Sequence, residues 1–121
     1  MNLEKYTQKS QEALLSAQRL AENLNHQTIE PAHLLLALIQ QQEGVVPAII
    51  TKVAGSIAAL KDELTQDLNS RPKVTGAATQ TGLSRQSGEV LEAAERFAKG
   101  MKDDYVSTEH ILLGLTESYE A

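Results

Sequence analysis

The chain has 121 residues, a length that allows one domain with a modest core. Only 3% of the residues are aromatic against 41% hydrophobic, so we expect a core of leucine, alanine, isoleucine and valine, a mixture that favours helices. The net charge of −5 argues against non-specific binding to nucleic acid or an anionic membrane, and the absence of cysteine excludes disulfides and thiolate chemistry. No apolar run approaches the roughly 20 residues of a membrane span, and the N-terminus matches neither a signal nor a transit peptide, so we expect a cytoplasmic protein.

Apolar spacing predicts four helices in the first part of the chain. Thr7 is a candidate N-cap for the first helix, at about 8–25. A proline at the start and leucines around most of the circumference predict a short, buried second helix at 31–40. Two further amphipathic helices follow at 45–53 and 57–69, separated by a glycine stop and a serine cap.

A linker without helical period follows at 70–83, where proline, glycine and hydroxyl residues predict a mobile connection. Helical spacing returns at 84–102, and Ser107 is a candidate cap for a sixth helix.

An internal duplication explains this order. With an offset of 77 residues, Thr7–Gln40 lies over Ser84–Glu117 without a gap, and ten of the 34 pairs are identical. The sequence therefore predicts an all-α, pseudo-twofold domain built from two copies of one unit. The first copy is a four-helix repeat at 1–69. The second, at 84–121, lacks counterparts of the third and fourth helices, either because it was built shorter or because the chain is a fragment of a longer domain.

Three segments resemble a known family. They are LEKYTQKSQEALLSAQRLA at 3–21, IEPAHLLLAL at 29–38 and VSTEHILLGL at 106–115. This double pattern is similar to the Clp repeat N-terminal domain of the Clp AAA+ unfoldases, most of all to the ClpB disaggregating chaperones. The resemblance implies a domain that binds unfolded or aggregated polypeptide and delivers it to ATPase rings. Those rings bind ATP and magnesium, form a homohexamer and cooperate with a DnaK-type chaperone.

The resemblance also implies that three polar residues handle substrate, namely Thr7, Asp103 and Glu109. Each has a structural alternative. Thr7 is an N-cap in any case, Asp103 fits a solvated loop acid, and Glu109 in a first helical turn is a favourable partner of the helix dipole. In the duplication, Asp103 and Glu109 correspond to His26 and Ala32, so only the second repeat carries the two acids. Twofold packing would bring the start of one repeat near the helix–turn of the other.

Apolar candidates come from the helical stripes. Members of the resembled family take up apolar peptide segments in a groove between helices, so Leu14, Leu91 and Phe97 are candidate groove residues, with a purely structural place in the core as the alternative. His33 and His110 hold equivalent positions, and shared packing is favoured over a metal pair because no Cys/His ligand spacing surrounds them.

Catalysis finds no support in this chain, which has no phosphate-binding G-x-x-x-x-G-K-[ST], no nucleophile elbow and no H-E-x-x-H. We expect no catalytic residue, no metal and no cofactor in the chain itself. An alternative function is docking of adaptors or degrons, as in ClpA or ClpC. The ClpC type pairs a glutamate of each repeat with phosphorylated arginine, but here Ala32 replaces the first glutamate and only Glu109 remains. A purely structural helical domain is a third possibility.

Overall fold

The computed structural model describes residues 3–74 and 81–120. A 3₁₀ turn at Leu3–Lys5 leads into the helices and strands. Their bounds, in chain order, are α1 Gln8–Asn23, β1 Thr28–Ile29, α2 Pro31–Ile39, α3 Val45–Ala54, α4 Ile57–Ser70, β2 Gly82–Leu83, α5 Arg85–Gly100 and α6 Thr108–Glu120. The prediction of a helical domain is confirmed, and the helices begin and end within about two residues of their expected positions.

Local chemistry sets these bounds. The side chains of Thr7, Ser56 and Ser84 accept the backbone N–H three residues on and cap α1, α4 and α5. Helices α1 and α5 end two residues earlier than predicted, because Asn25 and Lys102 adopt the left-handed conformation, with φ of 58° and 61°. These two residues are equivalent in the duplication, so both repeats turn in the same way.

Helix α2 is the centre of the core. Seven of its nine residues are buried, which confirms the prediction made from its apolar circumference. It packs against α1, α3 and α4 of its own repeat and also against α5 and α6. Fully buried leucines at positions 34, 38 and 68 and residues Ile111 and Leu115 join both repeats in one core.

Among the described residues, helices α5 and α6 have the most extensive contact of any helix pair. Gly114 makes this approach possible, since a Cβ atom at that position would lie 2.4 Å from the carbonyl oxygen of Val90. The equivalent residue of the first repeat is Ala37, so the two helix pairs are not packed identically. Helix α3 also contacts α6, which fixes the two repeats against each other.

Two very short parallel pairings were not predicted. Strand β1 pairs with β2, Thr28 with Gly82 and Ile29 with Leu83. A single bridge joins Tyr6 to Val106. The predicted linker at 70–83 thus ends in β2, and its residues 75–80 lie outside the described residues. Within 3–74 and 81–120, no helix has the length and apolar character that a membrane crossing needs.

Candidate functional site

The start of α1 is tied to the turn between α5 and α6. The backbone N–H of Thr7 donates to the carbonyl oxygen of Val106 at 3.0 Å, and the N–H of Val106 donates to the carbonyl of Lys5 at 2.7 Å. The Ser10 hydroxyl, which is buried, also donates to the Val106 carbonyl, at 2.8 Å. Thr7 caps α1 through its hydroxyl and is half-buried beside this turn. The proximity expected from twofold packing is therefore present.

The second repeat repeats this junction in reverse. Ser84 donates its backbone N–H to the carbonyl of Ile29 at 3.1 Å, and the Ser87 hydroxyl donates to the same oxygen at 2.6 Å. Ser84, Ser87 and Ile29 correspond to Thr7, Ser10 and Val106. Each repeat therefore inserts its first residues into the helix–turn of the other, which holds the starts of α1 and α5 on a common surface.

Asp103 is engaged by a buried histidine. The backbone N–H of Ser107 donates to Nδ1 of His110 at 2.9 Å, so the proton of the neutral imidazole resides on Nε2. That nitrogen lies 2.9 Å from Oδ2 of Asp103. Asp103 is nevertheless half exposed, so one side of its carboxylate remains available at the surface.

The first repeat has the same arrangement with a different partner. The backbone N–H of Glu30 donates to Nδ1 of His33 at 2.8 Å, and Nε2 of His33 lies 2.8 Å from Nδ1 of His26. His26 occupies the position that Asp103 has in the second repeat. His33 and His110 are both buried, and each accepts a backbone N–H at Nδ1. In the residues that the structure describes, no group of three or more possible metal ligands occurs.

The partner exchange changes the electrostatics. Burial, and then the neighbouring His26, lower the pKa of His33 to about 4. Burial is also the main cause of the lowered pKa of His26, which the charges of Arg71 and Lys73 depress further and the carbonyl of Leu68 partly offsets. Protonation of either imidazole to its cation is therefore disfavoured in the first repeat. In the second repeat the partner of the histidine is instead a carboxylate.

An apolar groove of about 320 Å³ lies between α1 and the β1–β2 pairing. Its apolar lining consists of Leu3, Leu14, Leu15, Ile29 and Leu83, and its polar rim of Gln8, Gln11, Glu12 and Gln18. Leu15 is 47% exposed and Leu3 37% exposed, although both are apolar. Exposed leucines beside a concave apolar surface are typical of a binding site.

A second depression continues from the first, and we call it the central groove. It is lined by Lys5, Tyr6, Leu83, Gly88, Leu91, Glu92 and Glu95, so it shares Leu83 with the apolar groove. The Tyr6 hydroxyl donates to Glu95 at 3.2 Å. Burial raises the pKa of this phenol, and the charge of Glu95 raises it further, so the hydroxyl stays protonated as a donor.

A third depression, the turn groove, shares Lys5 and Glu95 with the central groove. Its other lining residues are Ala98, Lys99, Asp103, Asp104 and Val106. The three depressions are neighbours, since the apolar groove and the central groove share Leu83 and the central groove and the turn groove share Lys5 and Glu95.

The structure thus distributes the candidate residues unequally. Leu14 lines the apolar groove, Leu91 the central groove and Asp103 the turn groove. Glu109 is half-buried in the first turn of α6, where the Thr108 hydroxyl donates to it at 3.1 Å. Phe97 is half-buried on α5 and is not among the residues that line these three depressions.

The sequence prediction missed several lining residues. Leu15 lies one position beyond the apolar stripe of α1, and a single exposed leucine carries no signal by itself. Leu83 lies in the predicted linker. Tyr6 and Glu95 are 89 positions apart in the sequence. They come together because the start of α1 is hydrogen-bonded to the α5–α6 turn and the start of α5 to Ile29, an arrangement that we call the crossed junction.

The six α-helices of residues 3–74 and 81–120, arranged in two repeats that are hydrogen-bonded to each other, define a duplicated helical domain. The model of the Clp repeat (R) N-terminal domain family matches residues 5–121. The chain therefore belongs to this family.

The relatives place the chain within the family. It is 40% identical to the chaperone protein ClpB of Clostridium tetani and 38% identical to that of Nitratidesulfovibrio vulgaris, in each case over 97% of this chain. The chain spans 14% of the length of both relatives. The crystal structure of the Hsp104 N-terminal domain from Candida albicans superposes with a TM-score of 0.88 at 25% identity, covering 97% of this chain and 77% of that one. The protein is thus a Clp N-terminal domain of the type found in ClpB and Hsp104 chaperones.

Proposed function

We propose that this domain binds unfolded or aggregated polypeptide and that the apolar groove receives apolar side chains of the bound segment. The observation that carries the proposal is the concave surface around Leu14, Leu15 and Leu83, in which leucine is exposed without a partner element among the described residues. A volume of about 320 Å³ lies in the range of small binding pockets and accommodates a few aliphatic side chains.

The geometry favours a weak and reversible interaction. Each leucine that a ligand buries fully contributes roughly 1.5–3 kcal/mol to the binding free energy. The cost of ordering an unfolded segment offsets much of the contribution of a few such leucines. Weak binding suits a domain that passes a segment on, since tight binding would retain it. The polar rim of glutamines offers donors and acceptors to the ligand backbone.

Thr7, Asp103 and Glu109 are proposed to contribute to the same binding reaction. The crossed junction holds Thr7 beside Val106, so a ligand that reaches from the apolar groove to the turn groove passes Asp103. Glu109 belongs to the helix that follows this turn. The structural roles of Thr7 as a cap and of Asp103 as a histidine partner coexist with this proposal, so a binding assay must be read together with a stability measurement.

The test is an amide-shift titration of the protein with a permanently unfolded, reduced and alkylated protein. We expect shifts at the lining of the apolar groove, at Thr7 and at residues 103–109. Leu15→Ser should weaken binding about tenfold, because one exposed leucine contact is lost. Val53→Ser is the matched control, since Val53 is 81% exposed and lines none of the three depressions.

Equal affinity of Leu15→Ser and wild type would refute the groove assignment. Shifts that are absent or scattered over the surface would refute binding of unfolded chains and favour the ClpA- or ClpC-like docking of adaptors or degrons. Glu109 at a half-buried helix start is the residue of the second repeat that such docking would use. Capture of an adaptor by a domain that ignores the unfolded protein would establish that alternative.

We further propose that the full-length protein carries ATPase domains which bind ATP and magnesium, assemble as a homohexamer and work with a DnaK-type chaperone. The support is the membership in a family of N-terminal domains and the similarity to much longer ClpB chaperones. Sedimentation of the full-length protein with and without ATP would test the assembly, and a particle no larger than a monomer would contradict it.

A further inference from the structure

The duplication allows the apolar groove on α1 and the central groove on α5 to be compared residue by residue. Leu14 and Leu91 are equivalent and identical, so both halves have the same leucine in the lining. The next positions differ. Leu15 on α1 corresponds to Glu92 on α5, and Gln18 corresponds to Glu95. The duplication has therefore kept an apolar lining on both sides and placed two additional carboxylates, Glu92 and Glu95, on the α5 side.

The charge distribution follows the same division. The apolar groove has one charged lining residue, Glu12. The central and turn grooves together have four carboxylates, at Glu92, Glu95, Asp103 and Asp104, against the two ammonium groups of Lys5 and Lys99. A ligand that spans the whole surface thus meets an apolar region first and a region of net negative charge next to it.

Glu95 is held in place within this region. It accepts a hydrogen bond from the Tyr6 hydroxyl, which is buried and stays protonated, so its carboxylate is directed by the crossed junction. A positioned carboxylate discriminates between charged ligands better than a freely rotating one, because less side-chain entropy is lost on pairing. Glu92 lies one residue beyond Leu91 and lines the same depression.

We propose that the preferred ligand is an apolar peptide segment flanked by lysine or arginine, and that Glu92 and Glu95 determine this specificity. The inference rests on the proposed function, since it describes the polypeptide that the groove receives. Apolar side chains of the segment occupy the apolar groove and an adjacent basic side chain lies over the central groove. Peptides with acidic flanks are rejected by like-charge repulsion.

Three synthetic peptides provide the test. They share one core of six leucine and valine residues and carry two lysines, two glutamates or two serines at each end. Dissociation constants are measured by fluorescence anisotropy at low and at high salt. We expect the lysine-flanked peptide to bind about fivefold more tightly than the glutamate-flanked one at low salt, and this ratio to fall towards one at high salt.

Two double variants separate local from general charge effects. Glu92→Gln with Glu95→Gln should remove most of the difference in affinity between the lysine-flanked and the glutamate-flanked peptide. Asp62→Asn with Glu63→Gln removes the same charge from exposed positions on α4 and should leave the preference intact.

The outcomes are distinguishable. Equal binding of all three peptides by the wild-type domain would overturn the specificity and leave the proposed function standing. A preference that survives in the Glu92/Glu95 variant, or disappears in the α4 variant, would also overturn it, since long-range charge would then explain the effect. Failure of all three peptides and of the unfolded protein to bind would instead overturn the proposed function.

Discussion

Replacing His26 with aspartate would give the first repeat the same histidine–carboxylate pair that the second repeat has, although His26 is buried and Asp103 is half exposed. In the native protein, Nε2 of His33 lies 2.8 Å from Nδ1 of His26, whereas Nε2 of His110 lies 2.9 Å from Oδ2 of Asp103. A carboxylate at position 26 would stabilise the cationic form of His33, whereas a protonated His26 opposes it. We therefore expect His26→Asp to raise the pKa of His33 and to change how stability depends on pH.

The magnitude follows from the pKa of about 4 that His33 has in the folded protein. An unperturbed histidine has a pKa of about 6.5, so the unfolded chain takes up this proton first as the pH falls. The contribution that the uncharged His33 makes to the free energy of unfolding is therefore present at neutral pH and is lost as the pH falls from about 6.5 to about 4. The whole shift corresponds to about 3 kcal/mol, of which about 2 kcal/mol is lost by pH 5.

The assay is urea unfolding followed by far-UV circular dichroism at pH 7 and pH 5. The wild-type domain should lose about 2 kcal/mol more between these values than His26→Asp, because the variant accommodates the proton on His33. His26→Asn serves as a neutral comparison that removes the repulsion without adding a charge. The pair of Asp103 and His110 is the same in every variant, so it does not affect the comparison.

One result would refute this reasoning. If wild type and His26→Asp lose the same free energy of unfolding between pH 7 and pH 5, the histidine pair does not control the acid sensitivity. If His26→Asp is too unstable to measure, a wild-type loss well below about 2 kcal/mol between pH 7 and pH 5 contradicts the lowered pKa of His33 on which the reasoning depends.

Three further substitutions have definite expected outcomes. Thr7→Ala should lower the free energy of unfolding by about 1 kcal/mol through loss of the cap, and weaken binding of unfolded protein; unchanged denaturation and binding would contradict this. Gly114→Ala should lower the free energy of unfolding by more than about 2 kcal/mol, since its Cβ would overlap the carbonyl of Val90. Gly88→Ala, which has open space around it, should leave the stability unchanged or raise it, and thermal melting of both variants checks this. Glu109→Ala should weaken binding with helicity retained, and wild-type affinity would exclude Glu109 from the site.

The helices could be predicted from the sequence because each follows the 3.6-residue period and three of them, α1, α4 and α5, begin at a hydroxyl residue that caps the helix. The two-residue strands could not, since Thr28–Ile29 and Gly82–Leu83 are too short to show a strand period and pair only through tertiary packing. The duplication indicated that the repeats would meet. It did not show which backbone groups pair, because that depends on how α2 and the α5–α6 pair fill the common core.

The site was predictable to a similar extent. Leu14 and Leu91 followed from the helical stripe and its repetition. Leu15 could not be predicted, because an exposed leucine indicates a binding site only when a concave apolar surface lies beside it, and the sequence does not show that surface. The partnership of His26 with His33 was likewise hidden, since an alignment of repeats shows equivalent positions and not the distance between two rings.

The bridge between Tyr6 and Val106 has a consequence for synthesis of the chain. A ribosome makes Tyr6 about a hundred residues before its partner, so the beginning of the domain has no place to pair until the α5–α6 turn has emerged. Closing so long a loop is slow relative to forming the local helices. We therefore expect the leading segment of the first repeat to stay unpaired until the α5–α6 turn has formed and can bind it.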